Sequence, residues 1–236
     1  MQNQVIVITG ACGNLGVAVA RAFLVTGARL VLVDRSANER LHAAYPDLAA
    51  TNDHLLRGGV NLGDEESLRD VVSATVARFG RIDALVHTVG TWRGGQPVHQ
   101  APLDDWTSLF DANLRTTLLA ARAVIPVMLA QKRGRIVAVA ARSALAGEAR
   151  SAAYSAAKSA VVRLIESLSA ELKESGINVN CVLPSLIDTP QNRAAMPDAD
   201  FSKWVEPAAL ADVILFLASD AARAIHGASI PVYGRA

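Results

Sequence analysis

Thr9-Gly10-Ala11-Cys12-Gly13-Asn14-Leu15-Gly16 follows the β-branched run Val5-Ile6-Val7-Ile8 and opens an apolar, Ala-rich segment from Val17 to Val25. A buried strand, a glycine turn and a helix start is an arrangement that cradles a pyrophosphate. Glycines let the backbone approach the phosphates, and the helix N-terminus presents free N–H donors with a partial positive charge. Asp34 follows 18 residues beyond Gly16, at the end of a second apolar run. A carboxylate at that place accepts hydrogen bonds from both adenosine ribose hydroxyls and repels a 2′-phosphate, which favours NAD over NADP. Arg35 keeps NADP open, because a guanidinium there can serve a 2′-phosphate.

Strand-like and helix-like runs alternate along the whole chain. Strands are predicted at 4–8, 29–33, 54–60, 83–88, 135–140, 177–183 and 228–232. Helices are predicted near 14–26, 38–44, 65–79, 103–131, 151–174 and 207–219. Runs such as Ile136-Val137-Ala138-Val139-Ala140 are apolar on both faces, as in strands buried within a parallel sheet. The pattern predicts an α/β fold: a doubly wound, Rossmann-type sheet of about seven parallel strands, with helices on both faces. Asp64 before Glu65-Glu66-Ser67 reads as a helix start, and Gly80, Gly27 and Gly176 as helix ends. Pro126 inside the 103–131 pattern predicts a kink or break. Segments 91–101 and 186–203 lack periodicity and follow strands, so they read as substrate loops.

The 236 residues are 51% hydrophobic and contain no linker, repeat or low-complexity tract, so residues 1–236 read as a single domain. A net charge of +1 gives no electrostatic case for nucleic acid. No apolar run approaches the ~20 residues that cross a bilayer, so no membrane association is expected. The N-terminus runs straight into the first strand, leaving no room for a signal peptide. Cys12 and Cys181 are far apart without CxxC spacing, and a reducing cytoplasm is the simplest setting. The five histidines show no metal-ligand spacing, so no metal is expected.

Tyr154-Ser155-Ala156-Ala157-Lys158 is the second anchor. Positions i and i+4 share one helix face. A phenol titrates near pH 10, too high for easy proton exchange at neutrality; a neighbouring ammonium stabilises the phenolate and lowers that value. The helix continues with Val161, Leu164, Ile165, Leu168 and Leu172, a core stripe.

Together the two anchors resemble the short-chain dehydrogenase/reductase family. The resemblance spans nearly the whole chain and includes Asn61-Leu62, His87-Thr88-Val89-Gly90, Asn113 and Pro184-Ser185-Leu186-Ile187-Asp188-Thr189. It implies NAD(P)-dependent hydride transfer to or from a carbonyl-type small molecule, and a homotetramer or homodimer. The Ala- and Leu-rich helices at 103–131 and 151–174 hint at helix–helix subunit contacts. By the resemblance Tyr154 is the acid/base, and Lys158 lowers its pKa and holds the nicotinamide ribose. Asn113 organises a water and proton relay with the lysine. Gly10, Cys12, Gly13, Asn14, Leu15, Gly16, Asp34, Arg35, Asn61, Leu62, Thr88, Val89 and Gly90 line the dinucleotide; Pro184, Ser185, Ile187 and Thr189 pack on its nicotinamide end.

Four departures stand out. Asn14 occupies a usual glycine position, giving TGxxGxxG. His87-Thr88-Val89-Gly90 replaces Asn-Asn-Ala-Gly, and Pro184-Ser185 replaces Pro-Gly. The family serine 13 residues before the tyrosine is Ala141 here, with Ser143 two residues later. Dihydropteridine reductases in this family work without that serine, because a quinonoid dihydropterin needs hydride and a proton but little oxyanion help. Ala140-Ala141-Arg142-Ser143-Ala144-Leu145 and Ile230-Pro231-Val232-Tyr233-Gly234 resemble that branch. The alternatives are a 3-ketoacyl or secondary-alcohol ketoreductase using Ser143, and an NAD(H)-binding regulator without turnover.

Cys12 reads as a reactive thiol or, more often at such a place, as a small residue filling the turn. Cys181 reads as core. His87 reads as a proton donor or as lining on the adenosine side. Trp92 and Trp204 either stack on a flat substrate or seal their loops against the core.

Overall fold

A computed structural model describes residues 1–235. Seven strands form one sheet: β1 (Val5–Thr9), β2 (Arg29–Val33), β3 (Leu55–Arg57), β4 (Ala84–His87), β5 (Gly134–Val139), β6 (Ile177–Pro184) and β7 (Ser229–Val232), in the spatial order β3-β2-β1-β4-β5-β6-β7. Every pairing is parallel. Side chains alternate between the two faces with the strand period of two. Val5 and Val7 enter one apolar layer and Ile6 and Ile8 the other.

The helices are α1 (Asn14–Leu24), α2 (Asn38–Ala44), α3 (Pro46–Ala49), α4 (Glu65–Phe79), α5 (Leu103–Phe110), α6 (Thr116–Gln131), α7 (Ala152–Leu172), α8 (Pro190–Ala195) and α9 (Pro207–Leu217). Core residues of α4, α6 and α7 cover one face of the sheet, and those of α1, α2 and α9 cover the other. Chain order reverses between β1 and β4, where Thr9 stands opposite His87. The crevice beyond the strand ends at such a reversal is where open α/β sheets bind ligands.

The helix start at Asp64 and stop at Gly80 are as read. Asp64 accepts a hydrogen bond from the Ser67 N–H at 2.8 Å, and Gly80 closes the helix at φ +75°. Other expectations need correction. β3 stops at Arg57 rather than 60, because Gly58 packs against the backbone of Asn38 and Gly59 turns at φ +72°. Pro126 neither breaks nor ends its helix, which runs through it from Thr116 to Gln131. Arg122 and Pro126 are both exposed, so the carbonyl deprived of its donor lies on the solvent side. The irregularity falls instead at Asp111–Arg115, a widened π turn around Asn113. The run Leu103–Gln131 is long and apolar enough to cross a membrane by length and composition, but Leu119, Ala120, Ala121, Val124 and Met128 are buried in the core over the sheet. α3 and α8 were not anticipated; each begins with a proline at its first position, the signal that locates them.

Candidate active site

The glycine loop is shaped by contacts that exclude side chains. Gly10 adopts φ +75°, and a Cβ there would lie 2.8 Å from Thr88 Oγ1 and 2.9 Å from Val89 Cγ2. A Cβ on Gly16 would collide with the Gly10 carbonyl oxygen. Gly13 donates to that same carbonyl at 3.0 Å and begins α1 without a side-chain cap, which leaves first-turn N–H groups free. Leu15 is buried beneath the loop and Asn14 is exposed above it.

Asp34 closes β2. Its Oδ2 accepts the Cys12 N–H at 2.8 Å and its Oδ1 the Ser36 N–H at 2.8 Å. A carboxylate has about four acceptor sites, so capacity remains for two ribose hydroxyls. Arg35 beside it is exposed. Val60 donates to the Asp34 carbonyl, which brings Asn61 and Leu62 to this end; Leu62 is buried and Asn61 folds onto the Gly63 N–H. Burial, then the Asp34 carboxylate, pushes the Cys12 thiol up, so it fills the turn and is not a ready thiolate. Tyr45, absent from the sequence reading, donates its hydroxyl to the Ala11 carbonyl at 2.6 Å and braces the loop from behind. No local pattern around Tyr45 signals this contact, which spans 34 positions.

Beyond β4 the chain reaches Gly90, where Asn113 and Lys158 converge. A Cβ on Gly90 would stand 2.8 Å from Asn113 Oδ1 and 2.9 Å from Lys158 Nζ. Asn113 is buried in the π turn. Its Oδ1 accepts the Thr91 N–H at 3.1 Å, and its Nδ2 donates to the carbonyls of Thr91 and Leu109 at 3.0 and 2.9 Å. The amide is therefore spent on backbone groups and clamps the segment after Gly90, so it has no free donor for a relay. Thr116 and Thr117 return their hydroxyls to the carbonyls of Ala112 and Asn113, at 2.8 and 2.6 Å. These bonds supply the widened turn with partners its backbone lacks.

Tyr154 and Lys158 lie one turn apart on α7, with Nζ 5.9 Å from the tyrosine ring centroid. Lys158 is buried and donates to the Val139 carbonyl at 2.9 Å. Burial lowers its pKa to about 8. In the chain by itself burial, then Glu148, pushes the Tyr154 phenol up to about 12, opposite to the lowering that the resemblance implies. The ammonium turns toward Val139 and sits over the ring, so desolvation outweighs it. The Tyr154 hydroxyl has no hydrogen-bond partner among the described residues.

Ala141 ends the strand extension in extended backbone, and Ser143 follows in a short 3-10 turn. The Ser143 Oγ is buried and makes no hydrogen bond, so it is not bonded to the Tyr154 hydroxyl as the ketoreductase reading requires. His87 is buried within the sheet, not a lining of the cleft. Burial, then Lys158, lowers its pKa to about 3, so the ring is neutral and is no imidazolium acid at neutral pH.

Past β6, which ends at Pro184, Ser185 donates its hydroxyl to the Tyr233 carbonyl at 2.8 Å. Ile187 pairs with Val205, and Thr189 caps α8 by accepting the Asn192 N–H at 3.2 Å. Trp204 is buried against Phe201 at 4.8 Å and seals its loop. Trp92 is 63% exposed at the opposite rim and donates to Ser151 Oγ at 3.2 Å. Beside it a cavity of about 100 Å³ is lined by Arg93, Trp106, Leu109 and Arg150.

The loop that tolerates no Cβ at Gly10 or Gly16, the free N–H groups of α1 and the Asp34 carboxylate fit a nicotinamide adenine dinucleotide along the ends of β1 and β2. The short chain dehydrogenase family pattern matches residues 4–200. The chain is similar to the (2S)-[(R)-hydroxy(phenyl)methyl]succinyl-CoA dehydrogenase subunit BbsD of Thauera aromatica, at 35% identity over 99% of this chain and 96% of that protein. It is also similar to the 2-(R)-hydroxypropyl-CoM dehydrogenase of Xanthobacter autotrophicus, at 30% identity over 98% of both. Among solved structures, gox2181 superposes with a TM-score of 0.92 at 30% identity, covering 99% of this chain and 95% of that one. Levodione reductase superposes with a TM-score of 0.89 at 28% identity, covering 99% and 97%. On fold, loop and sequence alike, this chain belongs to the short-chain dehydrogenase family of NAD(P)-dependent oxidoreductases.

Proposed function

We propose that this chain catalyses hydride transfer between a nicotinamide cofactor and a small carbonyl-type or conjugated acceptor, with Tyr154 as the group that moves the proton. The observation that carries the reading is the convergence of Lys158 and Asn113 on Gly90, one helical turn from a tyrosine hydroxyl without a protein partner. A nicotinamide dinucleotide held by Gly10, Gly13, Gly16 and Asp34 supplies or accepts the hydride. Lys158, which gives Val139 one of its three ammonium protons, serves the ribose end and the phenol with the others; Asn113 keeps Gly90 close to both. Asp34 supports a preference for NAD(H) through ribose hydroxyls, against a 2′-phosphate.

Two observations divide the substrate readings. Ala141 lacks the family's hydroxyl and the buried Ser143 Oγ is not bonded to Tyr154, which favours an electron-poor acceptor such as a quinonoid dihydropterin. The names of the relatives favour a secondary alcohol or its ketone: besides the two dehydrogenases above they include a meso-2,3-butanediol dehydrogenase and a 3-oxoacyl-[acyl-carrier-protein] reductase.

The test is Tyr154→Phe assayed with NADH against quinonoid dihydropterin and a panel of ketones. Loss of the proton donor lowers kcat by about 10²–10⁴-fold while NADH binding stays within a few-fold. Turnover equal to the parent enzyme overturns the reading. Turnover of ketones alone removes the dihydropterin.

A further inference from the structure

His87 has both ring nitrogens occupied in the core. Nδ1 lies 2.8 Å from Thr9 Oγ1 and Nε2 lies 3.2 Å from Thr116 Oγ1. Thr116 donates its hydroxyl proton to the Ala112 carbonyl at 2.8 Å. A hydroxyl has one proton, so toward His87 Thr116 accepts. Nε2 must then carry the ring proton, Nδ1 must be bare, and Thr9 must donate to it. The chain has a single direction: Thr9 O–H to Nδ1, Nε2–H to Thr116, Thr116 O–H to Ala112. Only the neutral ring satisfies it, and burial together with the Lys158 ammonium keeps the ring neutral.

Each end of this chain touches something the site needs. Thr9 immediately precedes Gly10 of the glycine loop. Ala112 precedes Asn113 in the π turn, and Asn113 clamps Thr91 beside Gly90, where Lys158 abuts. β1 and β4 are already paired through their backbones, so what His87 adds is a side-chain tie from that pair to α6. Thr9 and His87 are register partners on β1 and β4, and Thr116 begins α6.

We propose that His87 is a positioning residue: by bridging Thr9 and Thr116 it sets the glycine loop against the π turn that presents Asn113 to Gly90 and Lys158. The inference rests on the functional reading above for its effect on turnover, but not for its geometry. A ring without nitrogens in this place fills the space but unties Thr116 and the π turn from the paired ends of β1 and β4. A shift of the π turn moves Asn113, and with it the Gly90 segment and the lysine behind it.

The experiment compares His87→Phe, His87→Gln and Thr116→Val. With the substrate found in the panel above, His87→Phe lowers kcat by about 10-fold or more, since ~1 Å of misplacement away from the chemistry can cost ~10²-fold. KM for NADH stays within about two-fold, as the glycine cradle itself is untouched. Glutamine, which offers one acceptor and one donor, recovers most of the loss. Thr116→Val reproduces the fall, and the double variant His87→Phe/Thr116→Val is no worse than the poorer single variant, because one chain is cut twice. Two measurements do not depend on turnover. Nitrogen NMR of the parent protein finds the His87 proton on Nε2, and the Asn113 side-chain amide resonances move in His87→Phe and return in His87→Gln. A proton on Nδ1, unmoved Asn113 resonances, or a folded His87→Phe enzyme with parental kcat and only a lower Tm overturns the proposal. Failure of the Tyr154→Phe test leaves these two NMR readouts standing, so the two ideas fail separately.

Discussion

The Asn14 side-chain amide donates to Gln191 Oε1 at 2.7 Å, joining two residues 177 positions apart. Asn14 stands on the glycine loop and Gln191 on α8, so the contact spans the mouth of the cleft. Behind it α8 is braced: Arg193 Nη2 meets Asp188 Oδ2 at 2.7 Å, and its guanidinium lies 4.7 Å from the Phe201 ring centroid. Among the described residues the polar tie from α8 to the loop is this exposed hydrogen bond.

An exposed hydrogen bond contributes a net ~0.5–1.5 kcal/mol, and 1.4 kcal/mol is about tenfold in an equilibrium. Gln191→Ala is therefore expected to speed NADH release by about 2–10-fold, with global stability lowered by no more than ~1.5 kcal/mol. Stopped-flow displacement of NADH reads the first and urea unfolding the second. A release rate equal to the parent's means the tie does not gate the cleft.

Asp34 does two jobs that one substitution separates. Its carboxylate holds the Cys12 and Ser36 N–H groups, and Asp34→Asn sets an amide NH₂ against one of them. An orphaned buried donor costs about 1–3 kcal/mol, so the variant unfolds at lower urea. Loss of the negative charge is also expected to shift the NADH/NADPH affinity ratio toward NADPH, by about tenfold for a 1.4 kcal/mol change. Fluorescence titration with both cofactors measures it, and an unchanged ratio would assign discrimination to other residues.

Lys158 makes stability depend on pH in a fixed direction. Its pKa falls from 10.5 unfolded to about 8 folded. Between those values the unfolded chain holds more protons than the folded one, so stability rises with pH; below pH 8 the full cost of the buried ammonium is present. Tyr154, raised from 10.0 to about 12, acts oppositely and lowers stability as pH climbs through that window. Lys158→Met is expected to be inactive yet more stable at pH 7. The gain is on the order of 3 kcal/mol from the lost charge penalty, less ~1 kcal/mol for the Val139 hydrogen bond. The advantage over the parent shrinks between pH 8 and 10.5. Thermal unfolding at pH 7, 8.5 and 10 measures it; a variant less stable than the parent at pH 7 would mean the ammonium is not penalised.

Much of the site was legible along the chain. Gly10 and Gly16 announce themselves because only glycine survives a positive φ or a carbonyl at Cβ distance, and Tyr154 and Lys158 because helix geometry puts i and i+4 on one face. Tyr45 and Gln191 were not legible. Nothing in their neighbourhoods reveals that they meet Ala11 and Asn14, since those contacts join elements the chain places far apart. Ser143 was legible as a hydroxyl near the right position, but a 3-10 turn folded it inward.

The sequence by itself determined the alternation of strands and helices, the parallel sheet with its two apolar layers, and the cradle at the end of β1, because periodicity and backbone sterics act over a few residues. Long-range packing set the charge states and the partners. It made His87 neutral with a set tautomer, engaged the whole Asn113 amide in backbone contacts, and raised the Tyr154 phenol instead of lowering it. Desolvation and hydrogen-bond choice depend on which groups from distant strands and helices share one enclosed volume, and no local spacing encodes that.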